Sequence, residues 1–102
     1  MYKLGLIGNP VSHSFSKKFF ESKFISKKIT KFSYQLYNVK DIEEFNDIIH
    51  KHDLIGLNVT SPYKKSIVKY LDILDDISLA TQSVNTIFIN KKTNKKFGFN
   101  TD

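Results

Sequence analysis

"LIGLNVTSPYKKSIVKYL", residues 54–71, contains a change of period. Its opening, "LIGLNVT", is apolar enough for a buried strand. "SPYKKSIVKYL" then starts a helix, with Ser61 as cap and Pro62 at the first helical position. A strand that hands over directly to a helix is the repeating unit of an α/β fold.

The same switch stands earlier in the chain. Residues 2–8, "YKLGLIG", read as a short strand stopped by Gly8-Asn9-Pro10, and a helix is expected from about Ser14 to Lys28. Phe15/Phe19 and Phe20/Phe24 are its i, i+4 pairs. Residues 32–39 alternate, with Phe32, Tyr34 and Leu36 on one face and Tyr37 and Val39 on the other. Asp41 can cap the next helix with Glu44 three residues on, and Ile42, Phe45, Ile48 and Ile49 form its buried side. A short helix follows over 75–82, then two strands, "VNTIFIN" and "FGFNTD", joined by the polar turn "KKTNKK". The expected class is α/β: three layers, a mostly parallel mixed sheet, helices on both faces and an antiparallel C-terminal strand pair.

With 102 residues the chain suits one compact domain, and 40% hydrophobic content with nine Phe and five Tyr supplies a core. Cysteine is absent, which excludes a disulfide framework, a thiolate metal site and a cysteine nucleophile. The apolar run in "MYKLGLIGNP" is too short for a signal peptide or a membrane span, so a cytoplasmic protein is expected. Net charge is +6, carried by lysines spread along the chain with no arginine. Arginine is the residue expected where bases or phosphates are read bidentately, so a solvated lysine surface fits better than a nucleic-acid site.

Two helix starts break the usual charge rule. Acidic residues belong in a first turn, as at Asp41, Glu43 and Glu44, yet Lys17–Lys18 and Lys64–Lys65 sit there instead. Each misplaced cation forgoes about 0.3–1 kcal/mol. Both sites follow a strand and carry hydroxyls or amides, which favours a bound anion. Alternation puts Asn58 and Thr60 on one face at the carboxyl end of their strand, with Val59 opposite. Ligands of open α/β sheets sit at that end, and an amide, a hydroxyl and the Lys64 ammonium suit a small hydroxylated acid. The competing reading is that Asn58 and Thr60 only satisfy local backbone groups.

Four motifs in order carry a resemblance. "GNPVSHSFS" (8–16), "GLNVTSPYK" (56–64), "SVNTI" (83–87) and "GFNTD" (98–102) are similar to segments of the N-terminal, substrate-binding domain of the shikimate dehydrogenase family. That family reduces 3-dehydroshikimate to shikimate with NADPH, on the way to chorismate and the aromatic amino acids. The resemblance implies that Ser14 and Ser16 hold the substrate carboxylate, and that Asn58, Thr60, Asn85 and Asp102 hydrogen-bond ring hydroxyls. It makes Lys64 the catalytic acid/base and Asp102 its partner, with His13 and Ser12 shaping the loop and Tyr63 and Lys65 serving packing and surface. It implies a small-molecule substrate, no nucleic acid, no membrane and no metal, and it is compatible with a homodimer. Two departures stand out: Lys17 replaces the usual proline, and Gln82-Ser83 replaces the usual Gly-Ala. The family binds NADP in a second domain through a glycine-rich loop. The four glycines here (5, 8, 56 and 98) form no Gly-x-Gly-x-x-Gly pattern, so these residues alone are expected to lack dehydrogenase activity. A quinate-using relative and a non-catalytic small-anion-binding module are the alternative readings.

Overall fold

The computed structural model describes residues 2–11 and 31–101. Within them, β1 (Tyr2–Gly8), β2 (Phe32–Asn38), β3 (Leu54–Val59), β4 (Ile73–Leu74), β5 (Thr86–Asn90) and β6 (Lys95–Phe99) form one sheet, in the order β2-β1-β3-β5-β6-β4. β1 is parallel to β2 and β3, and β4 is parallel to β6. β5 is antiparallel to both of its neighbours, so it alone runs against the rest. The expected mixed, mostly parallel sheet with an antiparallel C-terminal pair is the one observed. Neither of the two helices in the described residues, α1 (Phe45–His52) and α2 (Asp76–Thr81), is long and apolar enough to cross a membrane.

Alternation along the strands sorts side chains between the two faces. On one face Ile7, Val39, Leu57, Val59, Ile87 and Ile89 join Phe45 and Ile49 of α1 in the main core. Leu6, Val11 and Tyr34 form a second cluster, with Leu4 and Leu36 packed against it. The division of β2 into Tyr34/Leu36 and Tyr37/Val39 is as expected from its period. The helix expected over 14–28 lies outside the described residues.

α1 forms where its cap says it should. The Glu43 N–H donates to Asp41 Oδ1 at 2.9 Å, and Glu44 Oε2 accepts from the Asp41 N–H at 3.2 Å. This capping box opens a short 3-10 turn (Ile42–Glu44) that runs into α1. Phe45 and Ile49 are buried, and Ile42 and Ile48 are half-buried against them. The polar turn between β5 and β6 is closed by Asn94, which takes the left-handed φ of 60° and donates to the Asn90 carbonyl at 2.7 Å.

The helix expected over 61–71 is not there. Residues 61–65 form turns and only Ser66–Tyr70 is helical, as a 3-10 segment, so Ser61 does not cap and Pro62 does not open a helix. Tertiary contacts decide the matter. The Ser61 carbonyl accepts from the Asn9 N–H at 3.1 Å, and the Tyr63 ring is buried with its hydroxyl donating to the Val39 carbonyl. Pinned at both points, the chain crosses the end of the sheet before it can wind.

Phe45 is fully buried and its ring lies 6.0 Å from that of Tyr70. Phe45→Ala is expected to remove about 3–5 kcal/mol of stability. Urea unfolding measures it, and a loss under about 1 kcal/mol would contradict this core.

Candidate active site

The reversed strand decides which residues meet. Because β5 runs against β3, its beginning lies at the carboxyl end of β3, and Asn58 is paired with Thr86. The Val59 N–H donates to the Asn85 carbonyl at 2.8 Å, and the Asn85 N–H to the Phe99 carbonyl at 3.0 Å. Residue 85 is thereby tied to the ends of both β3 and β6. Thr60, the next residue after β3, donates its N–H to the Ile7 carbonyl at 2.9 Å. The ends of β1, β3 and β6 and the start of β5 are tied together here by backbone hydrogen bonds.

Gly8, at the end of β1, is shaped for the same crowding. A Cβ on it would overlap Thr60 Cγ2 and lie 2.9 Å from Val11 Cγ1 and 3.1 Å from the Ser61 oxygen. Only glycine lets Thr60 come so close to β1. Lys64 is fixed through its backbone. Its carbonyl accepts from the Val84 N–H at 2.8 Å, which seats it beside the residue preceding Asn85. Tyr63 on one side is buried and Lys65 on the other is exposed, in the packing and surface roles expected of them.

A chain of side-chain hydrogen bonds crosses this edge with one consistent polarity. The Tyr34 hydroxyl donates to Asn58 Oδ1 at 2.9 Å. Asn58 Nδ2 lies 3.5 Å from both the Asn85 carbonyl and Thr86 Oγ1. The Thr86 hydroxyl donates to Asn85 Oδ1 at 2.9 Å, and Thr101 adds its N–H at 3.2 Å and its hydroxyl at 3.3 Å to the same oxygen. Burial pushes the Tyr34 phenol up to about 12, so it remains a donor at any ordinary pH. Tyr34, Asn58 and Thr86 also line a pocket of about 180 Å³, together with Leu4, Gly56 and Ile87.

Of the residues singled out in the sequence, Asn58, Thr60, Lys64 and Asn85 therefore gather at one edge of the sheet. Val59 faces the main core, opposite Asn58, as alternation required. Ser14, Ser16 and Asp102, like His13, Ser12 and Lys17, lie outside the described residues. Lys64 does not lie in the first turn of a helix as expected, since residues 61–65 are not helical. Thr86 and Thr101 were not singled out although they stand inside the "VNT" and "NTD" motifs. Tyr34 had no motif to mark it.

The segment before Thr101 is held from below. Asn100 donates through Nδ2 to the Ser83 carbonyl at 3.1 Å, and its N–H lies 3.5 Å from Asp75 Oδ2. Asp75 also caps α2, accepting from the Ser78 N–H at 2.9 Å. Its carboxyl is held below the usual 3.8, with the Ser78 hydroxyl, the Ser78 N–H and the Asn100 N–H around it. Since the hydroxyl lacks a partner of hydrogen-bond geometry, the N–H groups carry the effect. Gln82 closes α2 at a left-handed φ of 53°, a conformation that glycine adopts at less cost than a residue with a Cβ.

A depressed carboxyl contributes stability above its unfolded pKa and loses it as pH falls through the lower folded value. The protein is expected to lose stability below pH 3.8 partly through Asp75, and Asp75→Asn to flatten that part of the curve. Urea midpoints measured from pH 5 to pH 2 decide it, and parallel curves would contradict the role given to Asp75.

Known proteins share this architecture. Residues 6–87 match the shikimate dehydrogenase substrate binding domain. The shikimate dehydrogenase (NADP(+)) of Staphylococcus aureus (strain JH9) is 39% identical over 103 residues, covering 98% of this chain and 37% of that protein. Among solved structures, shikimate dehydrogenase 1 from Peptoclostridium difficile superposes with a TM-score of 0.89 at 33% identity, over 99% of this chain and 37% of that one. Shikimate 5-dehydrogenase from Listeria monocytogenes, solved in complex with shikimate and NAD, gives 0.84 at 28% identity, over 97% of this chain and 34% of that one. The chain thus spans little more than a third of the length of these relatives. Sheet order, edge motifs and a match over most of the sequence agree, and the chain belongs to the shikimate dehydrogenase substrate-binding domain family.

Proposed function

We propose that these residues are the substrate-recognising half of an NADP-dependent shikimate dehydrogenase, which interconverts 3-dehydroshikimate and shikimate. The observation that carries the reading is the common edge on which Asn58, Thr60 and Asn85 stand beside the turn bearing Lys64. Amides and hydroxyls grouped at strand ends match the hydrogen-bonding needs of a polyhydroxylated ring. In this reading Ser14 and Ser16 hold the carboxylate, and Asn58, Thr60, Asn85 and Asp102 hold the ring hydroxyls. The ligand is a small hydroxylated acid and not a nucleic acid, the setting is cytoplasmic, and a homodimer is compatible with it.

Reduction of a ketone places negative charge on its oxygen as hydride reaches the carbon. A lysine ammonium is protonated at neutral pH and can pass a proton to that oxygen. Lys64 takes this role, with Asp102 as its partner in proton transfer. The reduced cofactor NADPH, held elsewhere in such an enzyme, would supply the hydride and leave as NADP. The residues present here do not fit it. None of the four glycines lies in a dinucleotide-binding pattern, and the space a Cβ would occupy at Gly8 is filled by Thr60 and Val11 instead of being open to a phosphate.

Lys64→Ala, made in an enzyme completed by its dinucleotide-binding domain, is expected to lower kcat by about 10²–10⁴-fold and to change the KM for shikimate far less. Turnover equal to that of the unaltered enzyme would remove Lys64 from the chemistry.

A further inference from the structure

We infer that Tyr34 is a positioning residue, whose hydroxyl fixes the Asn58 amide so that this amide meets the substrate as a hydrogen-bond donor. The inference rests on the reading of Asn58 as a substrate contact. It adds a residue from the far side of the sheet order, since Tyr34 stands on β2 and Asn58 on β3, with β1 between them. Leu6 of β1 pairs with both Leu36 and Asn58, and the tyrosine ring reaches across that strand on the second face.

An asparagine side chain can turn over, exchanging its oxygen and nitrogen, and a ligand site gains selectivity only if one orientation is enforced. Two contacts enforce it here. The Tyr34 O–H, only 2% of the residue being exposed, donates to Asn58 Oδ1 at 2.9 Å. On the other side the amide faces the Asn85 carbonyl oxygen at 3.5 Å. That carbonyl oxygen can only accept, so a turned amide would set two acceptors against each other. The Thr86 hydroxyl cannot rescue the turned form, because its proton is committed to Asn85 Oδ1 at 2.9 Å. Asn58 therefore keeps its oxygen on the Tyr34 hydroxyl and its N–H groups toward the start of β5, where the long 3.5 Å contacts to the Asn85 carbonyl and Thr86 Oγ1 leave them able to take a closer oxygen. A donor at this position selects an oxygen with a lone pair to offer, such as a ring hydroxyl or the carbonyl of the oxidised substrate.

Tyrosine is also suited to hold this post across pH. Its phenol remains protonated, so the polarity of the contact does not reverse. Phenylalanine would keep the ring and the packing against Leu4, Leu6 and Leu36 while deleting the hydroxyl that holds the amide oxygen.

The test is a double-mutant cycle on the 102-residue chain, with shikimate as ligand and the dissociation constant read by calorimetry. Tyr34→Phe is expected to weaken binding about tenfold, the size of one buried hydrogen bond left unmade. In the Asn58→Ala background the same substitution is expected to change nothing, because a positioning residue acts only through what it positions. Equal weakening in both backgrounds would show a merely structural role and overturn the inference, as would no weakening in the unaltered background. If Asn58→Ala itself leaves shikimate affinity unchanged, the substrate reading of Asn58 fails first and the inference falls with it. Should Asn58→Ala not fold, the side-chain amide signals of Asn58 in the unaltered chain decide. They are expected to shift on shikimate addition and to broaden or double in Tyr34→Phe, and a single unshifted pair in both proteins would overturn the inference.

Discussion

Val59 and Asn85 meet through one 2.8 Å hydrogen bond, from the N–H of the first to the carbonyl of the second. It is the last rung between a strand that ends at this edge and a strand that begins there. In an all-parallel sheet the start of a strand lies at the edge opposite its neighbour's end. By running β5 the other way, the fold brings the beginning of one strand to the ends of β3 and β6. Each strand terminus leaves side chains whose backbone no longer alternates, and those side chains are polar here. The edge is thus a place where amides and hydroxyls from sequence-distant segments share a few ångströms. Asn58 and Asn85, twenty-seven residues apart, belong to one hydrogen-bond network for that reason.

Rigidity around this edge comes from the apolar side. Val59 and Ile87 are buried in the main core under α1 and cannot slide by one residue without turning their side chains into solvent. Register is therefore fixed by hydrophobic burial, and the polar residues between are placed as a by-product. The buried Tyr63 does the same for the turn that carries Lys64. Asp75 ties the start of α2 to Asn100, next to Thr101, with backbone donors. A polar site built on strand ends and short turns needs such anchoring, because its own hydrogen bonds are exchangeable with water.

Much of this was legible in the sequence, and the exceptions share a cause. Alternation in "FSYQLYNV" sorted Tyr34 from Tyr37 because the pleat of a strand sends successive side chains to opposite faces. Asp41 with Glu44 announced α1 because the capping box is local. Asn58, Thr60 and Asn85 were legible from their motifs and from their place at strand ends. The helix expected over 61–71 was not formed, because the Tyr63 hydroxyl and the Ser61 carbonyl bind partners far away in the chain, and no local signal carries that information. The contact made by Tyr34 leaves no local signal for the same reason. Its importance lies in a hydroxyl that crosses a strand to reach residue 58, twenty-four positions on.

A single binding site at this edge requires one ligand to touch the end of β3, the start of β5 and the turn between β3 and β4 at once. A crystal structure of the chain with shikimate measures this directly. The prediction is a single shikimate with oxygens within about 3.2 Å of both Asn58 Nδ2 and the Asn85 amide and the Lys64 ammonium beside it. Shikimate seated away from these three residues, or touching only one of them, would contradict the account.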